Sequence, residues 1–162
     1  MVRALLSMAP QLPSVLAARL CPINDSDHSC NANMQHQGSS EMLSVEVSRE
    51  VASVLFHFGL KVPESVPSLL GDYPSLISCM LNLITVPDVG SATAGMNYIE
   101  MLLRSSKNGD GTPNWLVAVE KADGIQVLED LQYNTAAPSL LCERAACLVD
   151  TFYGEDYGID DE

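Results

Sequence analysis

The C-terminal stretch NWLVAVEKADGIQVLEDLQYNTAAPSLLCERAACLVDTFYGEDYGIDDE constrains the fold more than any other part of the chain. A short segment with helical apolar spacing over 125–131 is followed by a polar turn and a longer one over 139–153. Asp123-Gly124 marks the start of the pair and Gly154 its stop, with an acidic tail beyond. A short helix followed by a long one cannot bury its apolar face alone, so such units stack on their neighbours. Stacked helical units bind extended peptides or other proteins and do no chemistry.

The 162 residues leave room for one ordinary domain or for three to four helical repeats. A content of 47% hydrophobic and 18% charged residues is globular, and no run of eighteen apolar residues suggests a membrane span. Only 8 Lys+Arg face 21 Asp+Glu, a formal net charge of −13. A nucleic-acid binder needs cations to neutralise phosphates, so this balance argues against one and favours basic protein partners. The five cysteines are Cys21, Cys30, Cys79, Cys142 and Cys147. An odd number without a C-x-x-C pair does not read as a secreted disulfide framework, and a reducing compartment is expected. Cys79, Cys142 and Cys147 fall inside apolar helical patterns, where a free thiol packs as a small core residue.

Along the chain, residues 1–20 contain Arg3, Arg19, Ser7 and Ser14 and no acid. That composition matches an organellar transit segment; a secretory signal fits less well, because Pro10, Gln11 and Pro13 interrupt the apolar stretch. The reading adopted is a pair of short helices, 2–8 and 14–20, forming a partial first repeat. Residues 21–40 are polar and aperiodic and are expected to be a disordered insertion. Ser39 or Ser40 then caps a helix over 41–58, closed by Gly59. Pro63 and Pro67 mark a connector, followed by a short helix over 74–83. Pro87 and Gly90 break the chain before a helix over 91–105, and 107–113 (KNGDGTP) is an exposed turn. No stretch alternates apolar and polar residues as a half-buried strand does.

The three long segments can be superposed. Val47, Val51, Val54 and Phe58 form an i, i+4, i+7, i+11 stripe on the first. Its counterparts are Ala92, Met96, Ile99 and Leu103 on the second, then Cys142, Ala146, Val149 and Tyr153 on the third. The spacing lies near the armadillo or HEAT period of about 40–47 residues. Spacing alone leaves an α-solenoid and an ordinary helical bundle both open.

Specific residues narrow the choice. NYIEMLLRSSKNGDGTPNWLVAVEKADGIQVLEDLQY and the terminal LVDTFYGEDYGIDDE resemble the C-terminal armadillo repeats of importin alpha, most closely the plant type ending in an acidic FGEDYG tail. SREVASVLFHFG, residues 48–59, is similar to an upstream repeat helix. The resemblance implies an all-α fold, an armadillo-type right-handed α-solenoid of about three repeats. Residues 1–20 are then a partial first unit, 21–40 the insertion, 41–154 the repeats and 155–162 an acidic tail. It implies an adaptor in nuclear localisation signal-dependent protein import, moving between cytoplasm and nucleus and acting by protein binding without catalysis or cofactor.

The departures from the family carry equal weight. Importin alpha holds basic signals on Trp and Asn four apart on successive long helices, the indole stacking on lysine or arginine stems. The corresponding pairs here are Ser53/His57, Asn97/Met101 and Cys147/Thr151. Weak or absent binding of localisation-signal cargo is expected. No basic importin-beta-binding segment is recognised, so importin beta is not expected as a partner, and the chain is read as a truncated or divergent member. The alternatives are an armadillo or HEAT scaffold unrelated to nuclear transport, a non-functional truncated member, and an imported organellar protein suggested by residues 1–20 alone.

Candidate sites are few. Cys21, His28, Cys30 and His36 lack the two-residue knuckle that preorganises a zinc site, so no metal is assigned. Asp25 and Asp27 do not continue into a calcium loop. His57, between Phe56 and Phe58, reads as a histidine at a packing edge, and Trp115 as a packing residue. The partner-binding candidates are Tyr153, Glu155, Asp156, Tyr157, Asp160, Asp161 and Glu162. The resemblance places the binding site of the recycling export receptor at this acidic end, and the tyrosines offer aromatic contact area.

Overall fold

A computed structural model of the protein describes residues 11–20, 37–106 and 114–154, with the side chains of 37–44 left aside. These residues form eight α-helices: α1 (Leu12–Leu20), α2 (Gln37–Lys61), α3 (Val66–Asp72), α4 (Leu76–Thr85), α5 (Val89–Ser106), α6 (Trp115–Lys121), α7 (Gly124–Gln132) and α8 (Ser139–Phe152). A 3-10 turn, Pro63–Ser65, precedes α3, and no strand occurs among the described residues. The expected helices over 2–8, the insertion over 21–36, the turn over 107–113 and the tail over 155–162 lie outside the described residues.

Like packs on like. The long helices α2, α5 and α8 contact one another in sequence order, and so do the shorter α1, α4 and α7. Within each unit the short helix also packs on the long one: α1 on α2, α4 on α5, α7 on α8. One continuous core results. The central helix α5 supplies Met96, Tyr98, Ile99, Leu102 and Leu103, all fully buried, because it has neighbours on opposite sides. Each such aliphatic side chain stabilises the fold by about 1.5–3 kcal/mol over leaving it in water.

The first half of α5 is built of small residues for a steric reason. Ser91, Ala92, Ala94 and Gly95 are all buried. A Cβ at Gly95 would overlap the carbonyl oxygen of Met80 and lie 3.0 Å from Cγ1 of Ile84, so glycine lets α4 close onto α5. Asp88 starts the helix, its Oδ2 accepting from the Ser91 amide and from the Ser91 hydroxyl, each at 2.8 Å. That is an N-cap satisfying a donor the helix leaves unpaired.

Several expectations change at the helix ends. The backbone is already helical at Gln37, so Ser39 and Ser40 lie inside α2 and do not cap it, and the expected insertion loses its last four residues to the helix. Gly59 does not close α2, which runs on to Lys61. Its role is lateral: a Cβ there would sit 2.6 Å from the Met101 sulfur, so the glycine makes room for a side chain of α5. Pro63 and Pro67 do not mark an irregular connector, because each occupies the first turn of a helical segment, where its missing N–H costs nothing. Gly90 likewise falls in the first turn of α5 and breaks nothing. The short helix expected over 74–83 begins two residues later, at Leu76.

The stripes fare unevenly. On α5 all four positions are buried. On α2, Val51 and Phe58 are buried, whereas Val47 and Val54 are 56% and 47% exposed; Ala52 and Leu55 take the inner positions. On α8 the inner line is Leu141, Ala145 and Leu148, and the expected line through Cys142, Ala146, Val149 and Tyr153 is its half-buried edge. A broad apolar arc admits several i, i+4, i+7 tracings, and only the position of the neighbouring helix selects one. Cys79 and Cys142 are half-buried, but Cys147 is exposed and is not a core residue.

Substitution should expose the α4–α5 contact. Gly95→Ala inserts a methyl against backbone and should cost about 1–3 kcal/mol through overpacking, despite alanine's better helix propensity. Gly71→Ala, with nothing within 4 Å, should cost nothing. Chemical-denaturation midpoints of the two variants should separate clearly; equal midpoints would mean that the two helices are not held this closely.

Candidate protein-binding surfaces

Tyr153, the first of the candidate partner-binding residues, follows the last turn of α8. Its amide donates to the Val149 carbonyl at 2.8 Å, and its hydroxyl donates to the Leu116 carbonyl at 3.1 Å. The ring packs against the core. Burial pushes its hydroxyl up to about 12, with the Glu120 carboxylate adding to the effect. The residue therefore straps the end of α8 to α6, a use that its position in the sequence does not signal. Glu155, Asp156, Tyr157, Asp160, Asp161 and Glu162 lie outside the described residues.

The three pairs Ser53/His57, Asn97/Met101 and Cys147/Thr151 fall on the long helices α2, α5 and α8, of which α5 contacts the other two. Ser53 and His57 lie on α2, where His57 is exposed; its Nδ1 lies 2.7 Å from the Ser53 carbonyl, and its ring meets Phe56 edge-on at 5.1 Å. On α5, Asn97 and Met101 are half-buried. On α8, Cys147 and Thr151 are exposed, with Sγ and Oγ1 3.8 Å apart. Accessible side chains thus form a row, but none presents an aromatic face to a cation. Trp115 is buried at the start of α6, its amide donating to the Ser106 hydroxyl at 2.9 Å, and packs as expected.

Arginine and carboxylate pair along the same row. Glu100 of α5 accepts from Arg104 Nε at 2.7 Å and from Arg144 Nε of α8 at 2.7 Å, with a second Arg144 contact through Nη2. Burial alone would raise the Glu100 carboxyl, but the hydrogen bonds from Arg144 and Arg104 outweigh it and hold it below the usual range. Arg49 of α2 lies 3.7 Å from Asp88 at the head of α5. Glu100–Arg104 is an i,i+4 pair within α5, whereas Glu100–Arg144 and Arg49–Asp88 join neighbouring elements, and their separation in sequence hid them. Among the described residues no group of three His, Cys, Asp or Glu side chains could hold a metal ion. Cys21, His28, Cys30 and His36 lie outside those residues. No described helix is long and apolar enough to cross a membrane.

The described residues are thus all-helical, with shorter and longer helices packed on one another. Comparison with known proteins agrees with that class. Over 81 residues, half of the chain, it is 38% identical to importin subunit alpha-9 of Arabidopsis thaliana. Over 81 residues it is also 32% identical to importin subunit alpha-2 of Oryza sativa subsp. japonica. Each match covers 14% of the relative's own length. No protein-family model matches the chain, and no solved structure does. The resemblance to importin alpha is at the level of the family, over half of the chain.

The strap at Tyr153 has a pH signature. A tyrosine in the unfolded chain ionises near 10, whereas the folded residue keeps its proton to about 12. Its contribution is therefore fully present below pH 10 and lost as pH rises towards 12. Tyr153→Phe should cost about 0.5–1.5 kcal/mol at pH 8. The gap between variant and wild type should narrow at pH 11, measured by urea denaturation. A gap that widens with pH would contradict the assignment.

Proposed function

We propose that the chain acts as an importin-alpha-like adaptor in signal-dependent protein import into the nucleus, working by protein binding in cytoplasm and nucleus. The observation that carries this is the 38% identity to an importin alpha subunit over half of the chain. The contacts of long helix on long helix and short on short support an armadillo-type α-solenoid of about three units.

Within that reading the row of long helices is a weak seat for lysine-rich signals. Ser53/His57, Asn97/Met101 and Cys147/Thr151 provide no indole, and Arg104 and Arg144 put cations on the row. Attraction from the net charge of −13 is screened over about 8 Å at physiological ionic strength. The acidic segment 155–162 is the proposed contact for an export receptor. A second reading, a protein-interaction scaffold outside nuclear transport, draws on the same missing Trp/Asn pairs.

Two measurements separate these readings. In a fluorescence titration, a lysine-rich signal peptide should bind weakly and release in salt; micromolar binding that survives high salt would show the row to be a working groove. In a pull-down, the export receptor should be captured by the full chain and lost on deletion of 155–162, with helicity unchanged. Equal capture by both chains would remove the tail from the site, and no capture of any transport receptor would favour the scaffold.

A further inference from the structure

Two proline-containing turns stand on either side of one cleft. Val86-Pro87-Asp88 leads into α5 and Ala137-Pro138 into α8, with Val86 at φ −68°, ψ 136° and Pro138 at φ −59°, ψ 135°. The open cleft between them measures about 330 Å³, at the small end of the range of about 300–1,000 Å³ for ligand pockets. Its walls are apolar, formed by Ile84, Val86, Val89, Val127, Leu131 and Leu141. One apolar lining residue, Val89, is 54% exposed at its mouth. A single exposed apolar residue is ordinary, but beside an apolar-walled cleft it extends the surface that a partner can cover.

The polar groups define the complement. No lysine, arginine or histidine lines the cleft, whereas Asp88 and Asp130 do. Asp88 is occupied by Ser91 and lies near Arg49. Asp130 is exposed, and Oδ1 accepts from Gln126 at 2.8 Å, so it is the carboxylate an incoming group meets. The Thr85 hydroxyl is committed to the Asn82 carbonyl at 2.8 Å, and Pro87 and Pro138 have no N–H to offer. Asn134 lines the cleft as well, its Oδ1 taken by the Ala136 amide at 2.9 Å, so Asp130 is the exposed charge on the rim. A cationic donor beside an apolar side chain satisfies both wall and rim.

We infer that this cleft binds a short segment of a partner protein carrying an apolar anchor next to lysine or arginine, the anchor entering between the two turns and the cation meeting Asp130. The inference is independent of the import function, because the cleft is built from the turns ahead of α5 and α8 and not from Asn97/Met101 or Cys147/Thr151.

The full chain is titrated with three fluorescent hexapeptides: Lys-Lys-Leu-Phe-Lys-Lys, Lys-Lys-Ser-Gly-Lys-Lys and Glu-Glu-Leu-Phe-Glu-Glu. The first should bind saturably. The second should be at least about tenfold weaker, as expected for loss of one buried apolar side chain, and the third should not bind measurably. Two variants at exposed positions locate the site. Val89→Lys should weaken the first peptide about tenfold, and Asp130→Asn about two- to fivefold with a shallower salt dependence. Amide resonances of Val89, Val127 and Ala136 should shift on titration. Equal affinity for both lysine peptides would reduce the effect to bulk charge, and binding of the glutamate peptide would remove the role of Asp130. Unchanged binding by Val89→Lys, or shifts centred on Ser53 and His57, would place the peptide elsewhere; any of these results overturns the proposal.

Discussion

The close approach of α4 to α5 at Gly95 is the contact on which the remaining arrangement depends. Without a side chain there, the Met80 carbonyl can lie against the α5 backbone, and α5 can take α2 on another side. Met101 then enters the space left by Gly59, and α6 and α8 complete the enclosure. Because α5 has neighbours on both sides of the stack, its stripe is dry from Ala92 to Leu103. The flanking long helices have fewer neighbours, and they keep wet apolar positions such as Val47, Val54 and Leu140. The packing is thus densest around α5, which anchors the helices on either side of it.

Charge is organised around the same central helix. The chain carries a large acidic excess, yet Arg49 and Arg144 are each set against a carboxylate belonging to α5 or to its first cap. Such partly exposed pairs contribute little stability individually. They place cations of α2 and α8 against α5 and its N-cap. Asp130, on the cleft between the pre-helix turns, is an exposed carboxylate outside these pairs.

Helix content and the order of short and long segments were legible in the sequence, since apolar spacing near 3.6 residues reports a helix whatever it packs against. The pair over 125–131 and 139–153 lies within a residue of α7 and α8. The resemblance to importin alpha was legible too, being carried by local residue order. Helix ends were less so: Gly59, Gly90, Pro63 and Pro67 are punctuation in isolation, yet each serves inside a helical segment.

What the sequence determined by itself is thus local: helical apolar spacing, its acidity, and the lack of a Trp–Asn pair at Ser53/His57, Asn97/Met101 and Cys147/Thr151. Tertiary structure alone decided which tracing of each apolar arc is buried. It also turned Tyr153 into a strap onto Leu116, joined Glu100 to Arg144, and opened a cleft between the turns at Pro87 and Pro138. The physical reason is common to all four. Each depends on distance between groups far apart in the chain, and side-chain period records the direction a residue faces on its helix but not what stands opposite.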